Sequence, residues 1–303
     1  MRVFAPGKLV LTGAYAVLGG APAVVMATNR GVHADGSVVE PDPTREVRAA
    51  LGSTPAPFVD ASALHEGRRK LGLGGSAAIL VASLGVLAAG RGDDLGAPEV
   101  RARVFREARM AHARAQGGGS GVDVAASVHG GLLVYTPSPW EAPRLEHAVV
   151  PADLVVRAWF SGESARTSDL LSRVEALASR DAAGHRAALE AIALPAEDAR
   201  AAVLEGDVVA FIVAVDRTAD ALAALGVRAD APIVPAAFAR LAEAARAEGG
   251  AFVPSGAGGG DVGVWVGRSA PGPAFEARAS ELGMTPIELL PDPTGLRLED
   301  PHG

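Results

Sequence analysis

The stretch Gly72-Leu73-Gly74-Gly75-Ser76-Ala77-Ala78 runs without a break into helix-forming residues that continue to Ala89. Leu80, Leu84 and Leu87 fall on one face of that segment at helical spacing. Glycines ahead of a helix let the backbone take positive φ and approach a ligand closely. The helix start adds unpaired N–H groups and a partial positive charge. Together these make an anion site, and phosphate is the usual anion. The Ser76 hydroxyl could reach a phosphate oxygen or a Mg²⁺ ion. Read alone, the same residues also suit an ordinary helix start behind a tight turn.

Two better-known phosphate motifs are weaker matches. Gly72, Gly74 and Ala77 have the spacing of a dinucleotide fingerprint. That fingerprint needs a buried strand before it, whereas Glu66, Arg68, Arg69 and Lys70 precede it here. Gly258, Gly260 and Gly263 repeat the spacing ahead of a strand, which shows how little it discriminates. A Walker A loop is missing, because Gly7-Lys8 is followed by Leu9 rather than Ser or Thr.

Two other glycine clusters stand out. Gly119-Ser120-Gly121-Val122-Asp123 places a carboxylate at the start of a short predicted helix over residues 123–128. Asp123 alone reads as a helix cap; near a reacting group it would serve as a base or an orienting residue. Lys8 ends a predicted N-terminal strand and alone is a surface lysine. Beside Asp123 it would keep the carboxylate ionised and neutralise transferred charge. Pro254-Ser255-Gly256-Ala257-Gly258-Gly259-Gly260-Asp261 carries more glycines than a hairpin needs. It reads as a close approach to a ligand or another loop, or as a plain turn.

The remaining sequence frames these clusters. At 303 residues the chain has room for about two domains, and the boundary is expected near Pro151, giving 1–150 and 151–303. Aromatics are only 4% of the sequence, so its cores must be built mainly of Ala, Val and Leu. The net charge of −7 and the lack of long basic runs argue against nucleic acid as the main partner. With no cysteine, disulfides, thiolate catalysis and cysteine zinc sites are ruled out, and a cytoplasmic location is expected. From Leu9 to Thr28 there is no charge, but Gly19, Gly20 and Pro22 break the stretch. It reads as two buried strands and a turn, not a membrane span. Residues 41–57 read as a loop or irregular edge strand, 98–116 as a helix stopped by Gly117, and 186–225 as one long helical region. The tail from Pro291 reads as loosely packed.

Taken in order, the three clusters resemble the GHMP kinase superfamily. Ala5-Pro6-Gly7-Lys8-Leu9-Val10-Leu11-Thr12-Gly13 is similar to its opening strand and lysine, residues 72–78 to its phosphate loop, and residues 254–261 to its third motif. Within the superfamily the chain most resembles the phosphomevalonate kinases. The likeness lies in Ala111-His112-Ala113-Arg114-Ala115-Gln116-Gly117, in residues 119–126, in Asp261 after the glycines, in Tyr15, and in residues 164–169. It departs from the family in having Gly75 where a first serine is usual, Ala14 where many members carry Glu, and no obvious metal-binding carboxylate before Gly117; Glu107 is the nearest candidate.

The resemblance implies an α+β fold of two domains. One is an N-terminal α/β domain of the ribosomal protein S5 domain 2-like kind; the other is ferredoxin-like, with the site between them. It implies ATP and Mg²⁺ as cofactors and a phosphorylated or hydroxylated acid as the small-molecule substrate. Neither a nucleic acid nor a membrane is implied as a partner. ATP phosphates are expected on Gly72, Leu73, Gly74, Gly75, Ser76 and Ala77, with Ser76 on the metal. Lys8 and Asp123 are the expected catalytic pair. Ser120, Gly121, His112, Arg166, Ser255, Gly256, Ala257 and Gly258 are expected at the acceptor, with Lys70 and Arg109 as further cations. The implied reaction is phosphorylation of phosphomevalonate. Mevalonate or another small hydroxyl acceptor, and a non-catalytic nucleotide-binding role, stay open alternatives. A dinucleotide-dependent oxidoreductase rests on glycine spacing alone.

Overall fold

A computed structural model describes residues 1–138, 141–163 and 167–299. Its strands, in chain order, are β1 Arg2–Val10, β2 Ala23–Val39, β3 Pro57–Asp60, β4 His65–Glu66, β5 Arg69–Lys70, β6 Leu132–Thr136, β7 Arg144–Ala148, β8 Val155–Phe160, β9 Ala251–Pro254, β10 Val262–Gly267, β11 Thr285–Ile287 and β12 Arg297–Leu298. The α-helices are α1 Arg45–Leu51, α2 Gly75–Gly90, α3 Pro98–Gln116, α4 Val122–His129, α5 Thr167–Arg180, α6 Ala182–Glu205, α7 Val208–Ala229, α8 Ala236–Ala247 and α9 Pro273–Glu281.

The first sheet has the order β12-β1-β2-β6-β7, with β3 also paired to β2. Its pairing is antiparallel, and β1 meets β2 from Arg2↔Asp35 to Val10↔Val25. The register shifts between Pro6 and Gly7, where proline has no N–H to give. This bulge sets the site. A Cβ on Gly7 would lie 2.8 Å from the Leu73 carbonyl oxygen, and Lys8 N donates to that same oxygen at 2.9 Å. Glycine at position 7 thus lets the glycine-rich loop lie directly on β1. Behind it, α2 is buried on nearly every face, from Ala77 to Ala89.

The second sheet has the order β11-β8-β10-β9, and its chain order is strand, helices, two strands, helix, strand. That is the βαββαβ pattern of a ferredoxin-like domain. Alternate residues serve two buried layers, as the period of two requires. Ala158, Phe160, Val262, Val264 and Val266 join the main core. Trp159, Phe252 and Trp265 face Phe238, Leu241 and Phe275 on the other side. Five of the thirteen aromatics, Trp159, Phe238, Phe252, Trp265 and Phe275, share that outer layer, while the first sheet is packed mainly with Ala, Val and Leu.

Three expectations are corrected. Residues 41–57 hold α1, because Thr44 caps it by accepting from Val47 N and its Glu46 and Val47 are buried. The region 186–225 is two helices, since Gly206 takes φ 76 and Asp207 caps α7. The tail is firmly held: Leu296 is fully buried, Asp292 pairs with Arg297 at 2.8 Å, and β12 joins β1. The uncharged stretch 9–28 forms the end of β1, a 3-10 turn and the start of β2. Among the described residues no helix is long and apolar enough to cross a membrane.

Candidate active site

Lys8 is 6% exposed, at the end of β1. A buried ammonium is costly unless it is paired. Its Nζ lies 3.7 Å from Asp123 Oδ1 and donates to the Gly72 carbonyl at 3.4 Å. The ion pair is longer than a hydrogen bond, so ammonium hydrogens stay available for a ligand. Asp123 is in the first turn of α4, whose cap Gly121 takes φ 86. The lysine stem runs beneath the loop: a Cβ on Gly74, φ +76, would meet Lys8 Cγ at 2.9 Å and Cε at 3.0 Å.

The start of α2 is an open anion cradle. Its cap is Gly74, which offers no side-chain hydrogen bond to the helix N–H groups. The first of these to close a helical bond is Ala78 N, to Gly74 O. The amides of Gly75, Ser76 and Ala77 thus have the free donors typical of a helix start. Leu73 and Ala77 are buried and can act only through their backbone. Gly72 is pressed against the second half, where a Cβ would lie 2.7 Å from Asp261 Oδ2.

A solvent-open cleft of about 180 Å³ adjoins Lys8. Lys8, Asp123, Ser120, Gly121, His112 and Gln116 form its polar side, while Val10, Tyr15, Leu18 and Leu171 are among its apolar walls. Gly256 and Ala257 reach it from the second half. Two hydrogen bonds stitch that loop to the β1 end: Val10 N to Ser255 Oγ at 3.0 Å, and Tyr15 OH to the Ala257 carbonyl at 2.6 Å. Tyr15 holds φ 65 in a three-residue turn closed by Ala16 N to Ala14 O at 2.8 Å, a strained γ-turn for a residue with a side chain.

Residues 47–131 match the family model for the GHMP kinases N terminal domain. They are a GHMP kinase N-terminal domain. The chain is 29% identical to a phosphomevalonate kinase from Streptomyces sp. (strain CL190), with 86% of this chain and 88% of that protein covered. In structure it is similar to the Lin0012 protein from Listeria innocua, with a TM-score of 0.86, 20% identity and 99% of each chain covered. It is also similar to Streptococcus pneumoniae phosphomevalonate kinase in complex with phosphomevalonate and AMPPNP. There the TM-score is 0.78 at 18% identity, over 96% of this chain and 99% of that one. Both domains thus have the GHMP kinase fold.

Within this GHMP kinase fold, Lys8, Asp123, His112, Ser120, Gly121, Gly256 and Ala257 share one cleft. Ser76 joins it through His112 Nε2, 3.2 Å from its Oγ. Ser255 and Gly258 do not line it. Ser255 is spent on Val10, and Gly258 packs where a Cβ would lie 2.0 Å from the Ile233 carbonyl oxygen. Arg166 lies outside the described residues. Glu107 and Lys70 are exposed and away from the cleft walls, and the Arg109 stem packs under Gly121. Gln116, Thr167 and Leu171 line the cleft without having been singled out as binding residues. Thr167 and Leu171 are four apart on one helix, a spacing visible in the sequence but not its direction. Among the described residues no group of three or more His, Asp or Glu could hold a metal. The Ser76 hydroxyl, in the first turn of α2, is an oxygen donor of the kind a Mg²⁺ ion carried on nucleotide phosphates would take.

Proposed function

We propose that the protein transfers the terminal phosphoryl group of ATP to the phosphate of phosphomevalonate, giving diphosphomevalonate. The observation that carries the reading is Lys8, buried between the glycine loop and the cleft with Asp123 and Gly72 as partners. The relatives' own substrates, and the cover of nearly the whole chain, support the choice of acceptor.

Phosphoryl transfer needs positioning and charge neutralisation more than covalent chemistry. The α2 amides and residues 72–77 hold the nucleotide phosphates. When bound with the nucleotide, Mg²⁺ supplies charge neutralisation at the phosphates, and Ser76 is the side chain to meet it. Lys8 lies where negative charge builds up and holds its ammonium toward the transferred group. A phosphomonoester has its second pKa near 6 and is largely dianionic at neutral pH. Its oxygen needs no strong base, so Asp123 orients Lys8 and the acceptor. The walls of Val10, Tyr15, Leu18 and Leu171 suit the acceptor's short hydrocarbon body.

The test is ADP release with phosphomevalonate and with mevalonate, in Mg-ATP. Turnover with phosphomevalonate at a much higher kcat/KM is expected. Turnover with mevalonate alone would transfer the reading to a hydroxyl acceptor. Nucleotide binding without turnover on either would reject catalysis by this site.

A further inference from the structure

Ser127 is a buried hydroxyl that the mechanism above does not use. It is fully buried on α4, four residues after Asp123 and so on the same side of that helix. A serine or threonine inside a helix can bond back to the carbonyl four residues earlier. Two other buried ones in this chain do so: Ser83 Oγ donates to Ile79 O at 2.8 Å, and Thr218 Oγ1 to Ala214 O at 2.9 Å. Ser127 Oγ instead donates to the Pro6 carbonyl at 2.8 Å, 121 residues away in the chain.

The place where that bond lands carries the argument. Pro6 is the last residue of β1 before its register shift, and Lys8 follows two residues on. Asp123 and Ser127, one turn apart on α4, thus meet Lys8 and Pro6 on β1. The Asp123 Oδ1 to Lys8 Nζ separation is 3.7 Å, beyond the reach of about 3.2 Å for a hydrogen bond. Opposite charges in a partly buried site attract strongly, so this gap needs a restraint. Val124, Ala125, Ala126 and Val128 are buried around Ser127, but apolar packing has no direction. Among the described residues, Ser127 Oγ to Pro6 O is the one hydrogen bond between α4 and β1. The other ties of this segment run elsewhere: Tyr135 OH to Ser120 O just before the helix, and Leu296 N to Val128 O at 3.1 Å near its end.

We propose that Ser127 is a positioning residue: its bond to the Pro6 carbonyl holds α4 on the β1 bulge at the height that keeps the Asp123 carboxylate beside the Lys8 ammonium without bonding to it. The ammonium hydrogens are then left for the transferred phosphoryl group. The effect on rate rests on the kinase reading; the spacing belongs to the protein without ligand.

Two measurements on the whole protein test this. The first is a crystal structure of Ser127→Ala without ligand. Freed of the bond, the pair should close to a direct hydrogen bond of about 3.2 Å or less. A separation that stays at 3.7 Å, or grows, overturns the spacing role. The second is a steady-state cycle with phosphomevalonate and Mg-ATP. Ser127→Ala should lower kcat about tenfold and leave the KM for ATP within about twofold. In an Asp123→Asn background the same change should cost less than about twofold, because the neutral amide is not drawn to the ammonium and the two sites act as one unit. Ser83→Ala is the control: it removes a buried hydroxyl bonded within its own helix, and should lower Tm with kcat unchanged. An intact kcat in Ser127→Ala, or an equal loss in both backgrounds, makes Ser127 merely structural and overturns the proposal. If Ser127→Ala does not fold, Ser127→Cys, of similar shape and a weaker donor, replaces it in both measurements with the same directions of change. If the unaltered protein turns over no acceptor, the kinase reading falls, and the ligand-free structure judges the spacing by itself.

Discussion

Gly74 and Lys8 are fitted to each other, because the space a Cβ at position 74 would need is taken by the lysine stem, 2.9 Å from Cγ and 3.0 Å from Cε. The loop cannot move away, since Lys8 N is bonded to Leu73 O at 2.9 Å. Gly74→Ala should therefore displace the ammonium and add the cost of an alanine at positive φ, about 1 kcal/mol. Gly92→Ala is the control, with φ +84 and nothing within 4 Å of its Cβ position. Both should lower Tm, Gly74→Ala by more because of the added clash with Lys8, while only Gly74→Ala lowers kcat by about a hundredfold or more. Equal activities in the two variants would count against the fit.

Lys8 and Asp123 are assigned unequal roles, and substitution should separate them. Lys8→Met keeps the stem under Gly74 and removes the charge. It should lower kcat by about a thousandfold, as for loss of a main electrostatic contact. Asp123→Asn should cost less than about a hundredfold with a phosphate acceptor, the lower end of what loss of a general base costs. Steady-state assays of both variants with phosphomevalonate decide this. Losses of equal size would make Asp123 a base and not an orienting group.

The sequence carried the site's backbone more clearly than its side-chain network. The loop at residues 72–78 was legible because glycine and helix formers have local meanings. So were α3 and its stop, where Gly117 takes φ 75. The meeting of Lys8 with Asp123, distant in the chain, was reached through resemblance, since spacing alone does not encode a contact set by β1, α4 and a bulge. Glu46 was hidden because Pro41, Pro43 and Asp42 masked the cap at Thr44. Its burial depends on where α3 lies. The tail was misread for a like reason: Asp292 looks like a loop residue until Thr294 N, Gly295 N and Arg297 converge on it.

Tyr15 joins the two halves of the cleft, and its loss should be felt at the acceptor. Burial pushes its phenol up, so it remains a hydrogen-bond donor to Ala257 O. Tyr15→Phe keeps the ring and leaves that carbonyl unpaired, a loss of about 1–3 kcal/mol. The acceptor KM should rise about tenfold or more, while the affinity for nucleotide on the loop stays close to that of the unaltered protein. A change in nucleotide affinity with an unchanged acceptor KM would contradict this placement.

Acid should weaken the fold through His129. Its ring lies against Phe105 and His147, its Nε2 is buried without a hydrogen-bond partner, and Arg101 donates to its backbone carbonyl. Burial first, then the nearby His147 and Arg101 charges, hold it down to about 4, against 6.5 for a free histidine. The unfolded chain therefore takes up this proton first as pH falls. The stability this group contributes is complete above about pH 6.5, falls as pH drops toward 4, and is lost no further below that. At pH 5 the loss is about 2 kcal/mol. Urea midpoints at pH 7.5 and 5 should show a smaller gap for His129→Phe than for the unaltered protein. An identical gap would place the acid sensitivity elsewhere.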